Sequence, residues 1–196
     1  MIPKDKVISS WKNRAIKQGE RTVGYLNRSM DVQDNEHEIR SSFISSHIDK
    51  TKKVLDYGCG TGRQTCLFNK GNYIGADITA ELLEIAKKLY PEHNFLQLSE
   101  VGEVPDVEFD MFFTSTVLQH NSDETVNLIF SNLKKIKPDN LEFVLYENSR
   151  TQCGHVKGRS SSEYVNLISN FFNIKSHSGS THVIHGQEHG VSIIKT

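Results

Sequence analysis

Three cysteines (Cys59, Cys66 and Cys153), one tryptophan and four prolines are all that this 196-residue chain has of those residues. An odd, sparse cysteine set builds no disulfide framework and sets the expectation of a reducing, cytoplasmic setting. There is no run of about 18 apolar residues, so no spanning helix is expected. The first residues, Met1-Ile-Pro-Lys-Asp-Lys, lack the basic-then-apolar order of a secretory signal. Charge is balanced too, with 23 Lys+Arg against 24 Asp+Glu and a net −1. No global field draws the chain onto nucleic acid or anionic lipid. Repeats and low-complexity tracts are missing. What is there is a 36% hydrophobic set, enough for one core.

The first 30 residues stand apart: seven Lys/Arg against two Asp/Glu, with Trp11 among them. An acidic patch (Asp31, Asp34, Glu36, Glu38) leads into a helical stripe of Ile39, Phe43, Ile44 and Ile48. Residues 1–50 read as a helical extension and possible lid, with Trp11, Arg14, Tyr25 and Arg28 in reach of a substrate. Residues 51–196 read as the main domain. There strand and helix alternate: strands at 53–57, 72–77, 94–98, 109–114 and 141–147. Helices are expected over 63–69 (closed by Gly71), after Thr79 with Leu82, Ile85, Ala86 and Leu89 inside, and after Asn121 or Ser122 with Val126, Ile129, Phe130 and Leu133 inside, up to Pro138. A capping box, Ser160-x-x-Glu163, opens one more, lined by Tyr164, Leu167, Ile168 and Phe171. Period-two runs near 172–176 and 191–194 suit a closing hairpin. The fold class is α/β, a seven-stranded, mostly parallel sheet with helices on both faces, and its ligand lies beyond the carboxyl ends of the strands.

At that end stands Val54-Leu-Asp-Tyr-Gly-Cys-Gly-Thr-Gly62. Gly58, Gly60 and Gly62 let main chain turn sharply and approach a ligand. Asp77 follows Gly58 by 19 residues and ends the second strand, where a carboxylate accepts hydrogen bonds from both hydroxyls of a ribose. A dinucleotide fingerprint needs glycine where this chain has Arg63, and Asp56 would repel a pyrophosphate while suiting the ammonium of an amino-acid moiety. The chemistry points to an adenosyl amino acid.

These stretches, with Tyr73-Ile-Gly-Ala-Asp77 and Phe109-Asp-Met-Phe-Phe-Thr-Ser-Thr-Val-Leu-Gln-His120, resemble the class I S-adenosylmethionine-dependent methyltransferases. The resemblance covers residues 35–196 by element order and is sharp in three stretches. It implies S-adenosyl-L-methionine as cofactor. Gly58, Gly60 and the Asp56-Cys59-Gly62 loop would lie along the methionine part, Asp77 at the ribose, and Ile78 on the adenine. Ser99 and Glu100 would face the adenine amino group, and Thr114 and Ser115 the methionine ammonium.

An activated methyl group needs an aligned nucleophile and little else. His120 is the candidate general base for an acceptor that must lose a proton, with a helix-capping role as its alternative. Glu147, Asn148, Arg150, His155 and Arg159 form a polar loop that could hold the acceptor, an arginine suiting a carboxylate or phosphate. His182, His185, His189 and Glu188 lack metal-site spacing, so no metal is expected. Cys59 and Cys66 read as packing residues. The resulting expectation is a methyltransferase acting on a small molecule. A nucleic-acid acceptor, a non-catalytic nucleoside-binding partner subunit and a dehydrogenase rank below it.

Overall fold

The computed structural model describes residues 4–19, 29–137, 139–150, 152–153, 156–184 and 186–196. Tyr25, Arg28, Pro138, His155 and His185 fall outside that set, as does the side chain of Cys153.

Two helices, α1 (Lys4–Gln18) and α2 (Met30–Ser45), precede β1 (Val54–Tyr57) and β2 (Tyr73–Asp77). Then follow α3 (Ala80–Leu89), β3 (Asn94–Gln97), β4 (Met111–Ser115), α4 (Asp123–Ile136) and β5 (Glu142–Asn148). A two-residue hairpin, β6 (Gln152–Cys153) and β7 (Val156–Lys157), leads to α5 (Ser161–Ser169), β8 (Ser176–Ile184) and β9 (Gln187–Lys195). The main sheet runs in the order β3-β2-β1-β4-β5-β9-β8, with β1 to β5 parallel and the last two strands antiparallel.

Alternation along the parallel strands splits the core into two layers. Leu55, Phe112 and Phe143 pack with Val126, Phe130 and Leu133 of α4 and with Tyr164 and Ile168 of α5. Val54, Met111, Phe113 and Val144 pack on the other face with Ile44 of α2 and with Leu83 and Ala86 of α3. Each such large apolar side chain, buried on a strand with period two, contributes about 1.5–3 kcal/mol. α1 lies against α3, where Lys12 pairs with Glu81 at 2.7 Å.

Several expectations change in detail. No α-helix forms over 63–69; the chain there makes turns and a single 3-10 turn, Thr65–Leu67. Seven residues bracketed by glycines are too few to repay helix nucleation. The closing hairpin begins at Ser176, not 172, since Phe172 is drawn into the core. Leu89 and Ile39 stay exposed, and Leu83 takes the buried place on α3. Thr79 occupies the N-cap position of α3 without a side-chain cap bond, whereas Ser122 caps α4 by accepting from the Thr125 N–H. The capping box at Ser160 and Glu163 forms as the sequence indicates.

Candidate active site

β1 and β2 end level with one another, Tyr57 opposite Ala76, so the loop after β1 turns directly beside Asp77. Gly58, Gly60 and Gly62 all adopt positive φ, at 77°, 56° and 77°. A Cβ on Gly58 would stand 2.5 Å from Val117 Cγ2, so glycine there lets the loop after β4 close down on the turn. The Gly60 N–H donates to Asp77 Oδ2 at 2.9 Å, and the Thr79 N–H to Oδ1 at 2.8 Å. Burial pushes the Asp77 carboxyl up, opposed by those two N–H groups and, more weakly, by the Thr79 hydroxyl and the Ile78 N–H. Each oxygen is thus oriented by a short backbone bond, and a carboxylate oxygen can accept more than one.

A cavity of about 410 Å³ opens at this point. Of the residues marked in the sequence, it brings together Gly58, Gly60, Asp77, Ile78, Glu100, Ser115 and His120. Trp11 of α1, expected in a lid, also lines the cavity; the residues not marked for the site are mainly apolar: Ile8, Tyr57, Leu82, Val101, Val117 and Ile129. No polar motif marks these, and the only available signal was their place at strand ends and helix starts.

Five marked residues lie off the cavity wall. Asp56, flanked by two side chains of the opposite face, accepts a 2.7 Å bond from the Tyr73 hydroxyl. Burial pushes its carboxyl up to about 7, the Tyr73 bond opposing and the Asp77 charge adding. Cys59 packs among Tyr73, Phe95 and Leu83, and burial pushes its thiol up. Gly62 makes room for Tyr90 and Phe95. Ser99 is exposed, its hydroxyl donating to Glu103 at 2.6 Å. Thr114 is fully buried and donates to Glu147 at 2.8 Å.

The polar loop expected after β5 also reads differently. Glu147 and Arg159 are 1% and 2% exposed and point inward, beneath the loop that follows β4. Glu147 Oε1 accepts from the Thr114 hydroxyl and the N–H groups of Val117 (3.0 Å) and Leu118 (3.1 Å); Oε2 accepts from the Gln119 N–H at 3.1 Å. Burial pushes this carboxyl up, and the donors oppose it. Arg159 bonds Asp123 and the carbonyls of Leu118 and Asn121, so its guanidinium is not directed at an acceptor. The Asn148 N–H donates to Gln119 Oε1 at 2.7 Å, and exposed Arg150 pairs with Glu188. His120 ends the 3-10 turn Leu118–His120, its ring edge-on to Trp11 at 5.8 Å between centroids.

In the tail, His182 and His189 face each other across β8 and β9. His182 stacks on Phe43 at 3.9 Å and shares a 2.9 Å hydrogen bond with the Tyr146 hydroxyl. His189 stacks on Tyr146, and burial pushes its imidazole down to about 4. These are packing histidines. Among the described residues no group of three or more side chains suits a metal ion, and no helix is long and apolar enough to cross a membrane.

Sheet order, glycine turn and strand-end acid together define the Rossmann-like class I methyltransferase fold. A magnesium protoporphyrin IX methyltransferase from Synechocystis PCC 6803, solved with bound S-adenosylhomocysteine, superposes with a TM-score of 0.74 at 13% identity, covering 99% of this chain and 100% of that one. A 1,6-didemethyltoxoflavin-N1-methyltransferase from Burkholderia thailandensis gives 0.67 at 15% identity, over 100% and 91%. Likeness at such identity concerns the fold alone. Residues 48–161 match the family described as a methyltransferase domain, and the chain belongs to that family. A trans-aconitate 2-methyltransferase of Rhodopseudomonas palustris (strain BisB18) is 32% identical over 76 residues, 37% of this chain and 30% of that protein. A probable methyltransferase of Aspergillus luteorubrus is 31% identical over 112 residues, 48% and 39% of the two chains. The match thus spans about a third of the length of these curated relatives.

Proposed function

We propose that this chain catalyses methyl transfer from S-adenosyl-L-methionine to a small-molecule acceptor. One observation carries the reading: the Asp77 carboxylate, pinned by the Gly60 and Thr79 N–H groups, faces the same cavity as the bare main chain of Gly58 and Gly60 and the ring of His120. The fit to the cofactor is chemical. Two oriented oxygens match a vicinal diol, the glycine turn admits a ligand close to backbone, and Ile78 offers an apolar face to a base. Glu100 and Ser115 supply further polar contacts in the cavity. When bound, the sulfonium supplies an electrophilic methyl group.

The chain's own residues then have three tasks. Asp77 and the glycine turn hold and orient the adenosyl part. Trp11 and Ile8, from the 1–50 extension, roof the cavity and shed water, leaving the reacting atoms in a largely apolar space. His120 takes the proton that an acceptor hydroxyl, thiol or ammonium must lose. A mostly apolar cavity and a net charge of −1 support a small molecule over a polyanionic nucleic acid. The enzymes named for trans-aconitate, magnesium protoporphyrin IX and 1,6-didemethyltoxoflavin act on small molecules, which supports the same choice.

Calorimetry tests the reading: S-adenosylhomocysteine should titrate to one site, and NADH should give no heat. The reverse result would overturn it. Incubation with methyl-labelled cofactor and a cell extract should then put label into a small molecule.

A further inference from the structure

We propose that Glu147 and Arg159 are positioning residues that fix His120 in the cavity by clamping, from inside the protein, the loop between β4 and α4. The proposal rests on the cavity being the methyl-transfer site, and its observations are independent of that reading. The loop has little regular structure of its own beyond one 3-10 turn, Leu118–His120. Its donors at Val117, Leu118 and Gln119 instead converge on the Glu147 carboxylate, which takes a fourth bond from Thr114 on β4. Its acceptors at Leu118 and Asn121 receive the Arg159 guanidinium at 2.8 and 2.7 Å. Asp123, at the start of α4, balances that guanidinium at 2.9 Å. His120 therefore lies between two neighbours, Gln119 and Asn121, that are both tied to buried charges.

The backbone is under load at the same place. Thr116 sits at φ 60°, a conformation that a β-branched residue holds only when its surroundings enforce it. Thr116 lines the cavity and immediately precedes the first amide that Glu147 holds. A buried carboxylate with four donors is a stiff anchor, because every alternative leaves N–H groups unpaired away from water. Neither Glu147 nor Arg159 lines the cavity, so each acts through the loop it holds.

The single tryptophan reports on the outcome, since Trp11 meets the His120 ring edge-on. A protonated imidazole beside an excited indole quenches its emission, and histidine changes charge between pH 5 and 8. Charged groups around this pair are Arg14, stacked over Trp11 at 4.6 Å, and Glu100 and Asp77 in the cavity wall. Trp11 emission should fall between pH 8 and pH 5, and His120→Asn should abolish the change. Glu147→Gln retains one acceptor oxygen but sets an amide NH2 against a loop N–H. It should melt cooperatively and bind S-adenosylhomocysteine within about threefold of the wild type, while losing about half or more of the pH-dependent emission change. Arg159→Lys, which keeps the charge beside Asp123 but loses the forked bonds to two carbonyls, should lose it likewise. Thr114→Val removes the one Glu147 bond outside the loop and should leave the signal whole.

Full retention of the Trp11 signal in both Glu147→Gln and Arg159→Lys would overturn the proposal, as would no titration in the wild type. An equal loss in Thr114→Val would also overturn it. Failure of wild-type protein to bind S-adenosylhomocysteine would instead strike the proposed function and leave the clamp to be judged by the emission series.

Discussion

Asp77 and Glu147 occupy matching places, at the carboxyl ends of β2 and β5, and both are buried carboxylates bound by backbone N–H groups. Asp77 takes its two short bonds from the Gly60 and Thr79 N–H groups, with the Thr79 hydroxyl and the Ile78 N–H acting more weakly, and faces the cavity. Glu147 has four donors and faces none of it. The difference teaches that strand-end position alone does not make an acid a ligand-binding group. What differs is that Asp77 lines the cavity while Glu147 is turned beneath the loop after β4. Asp56 is a third case: one hydroxyl donor, no cavity, and a carboxyl pushed up to about 7.

The largest effect should follow from removing the acid beneath the loop. Glu147→Ala leaves the Thr114 hydroxyl and three backbone N–H groups without their acceptor, and should cost about 3–5 kcal/mol in chemical unfolding. A cost under about 1 kcal/mol would mean that water replaces the carboxylate and that the two acids differ less than their geometry says. Next comes the acid in the cavity wall. Asp77→Ala should weaken S-adenosylhomocysteine binding by about 100-fold, near 3 kcal/mol, as measured by calorimetry. Unchanged affinity would remove Asp77 from the site.

The smallest effect belongs to Asp56, and its sign follows from linkage. Its carboxyl ionises near 4 when unfolded and near 7 when folded. The stability that its protonated form carries is therefore complete below pH 4 and is lost as pH rises through 7. Asp56→Asn imitates the protonated form and still accepts the Tyr73 bond. It should be more stable than the wild type at pH 8 and nearly equal to it at pH 4 in parallel denaturant titrations. A gain that does not depend on pH would place the ionised form of Asp56 in both conditions.

The half of the cavity built by β1 and β2 was legible in the sequence because its determinants are local. Three glycines and a following acid at fixed spacing specify a turn, a close approach and a hydrogen-bond pair within one strand–turn–strand unit. His120 was legible by position after β4. Glu147 and Arg159 read in sequence as members of an acceptor-holding polar loop, because their partners are 28 to 41 positions away and the sheet alone brings them together. Asp56 misled for a simpler reason: alternation along β1 turns it away from Leu55 and Tyr57, and so from the site. The apolar roof from α1 carries no motif, and only the packing of that helix against α3 places Trp11 over the cavity.

The stretch after the glycine turn, where a single 3-10 turn stands in place of an α-helix, bears on what charge the cavity accepts. A full helix starting there would aim the positive end of its macrodipole at the ligand, the arrangement that welcomes diphosphates. Without such a helix end, the acidic side chains of the cavity wall, Asp77 and Glu100, set its charge, and the electrostatic welcome goes to a cation.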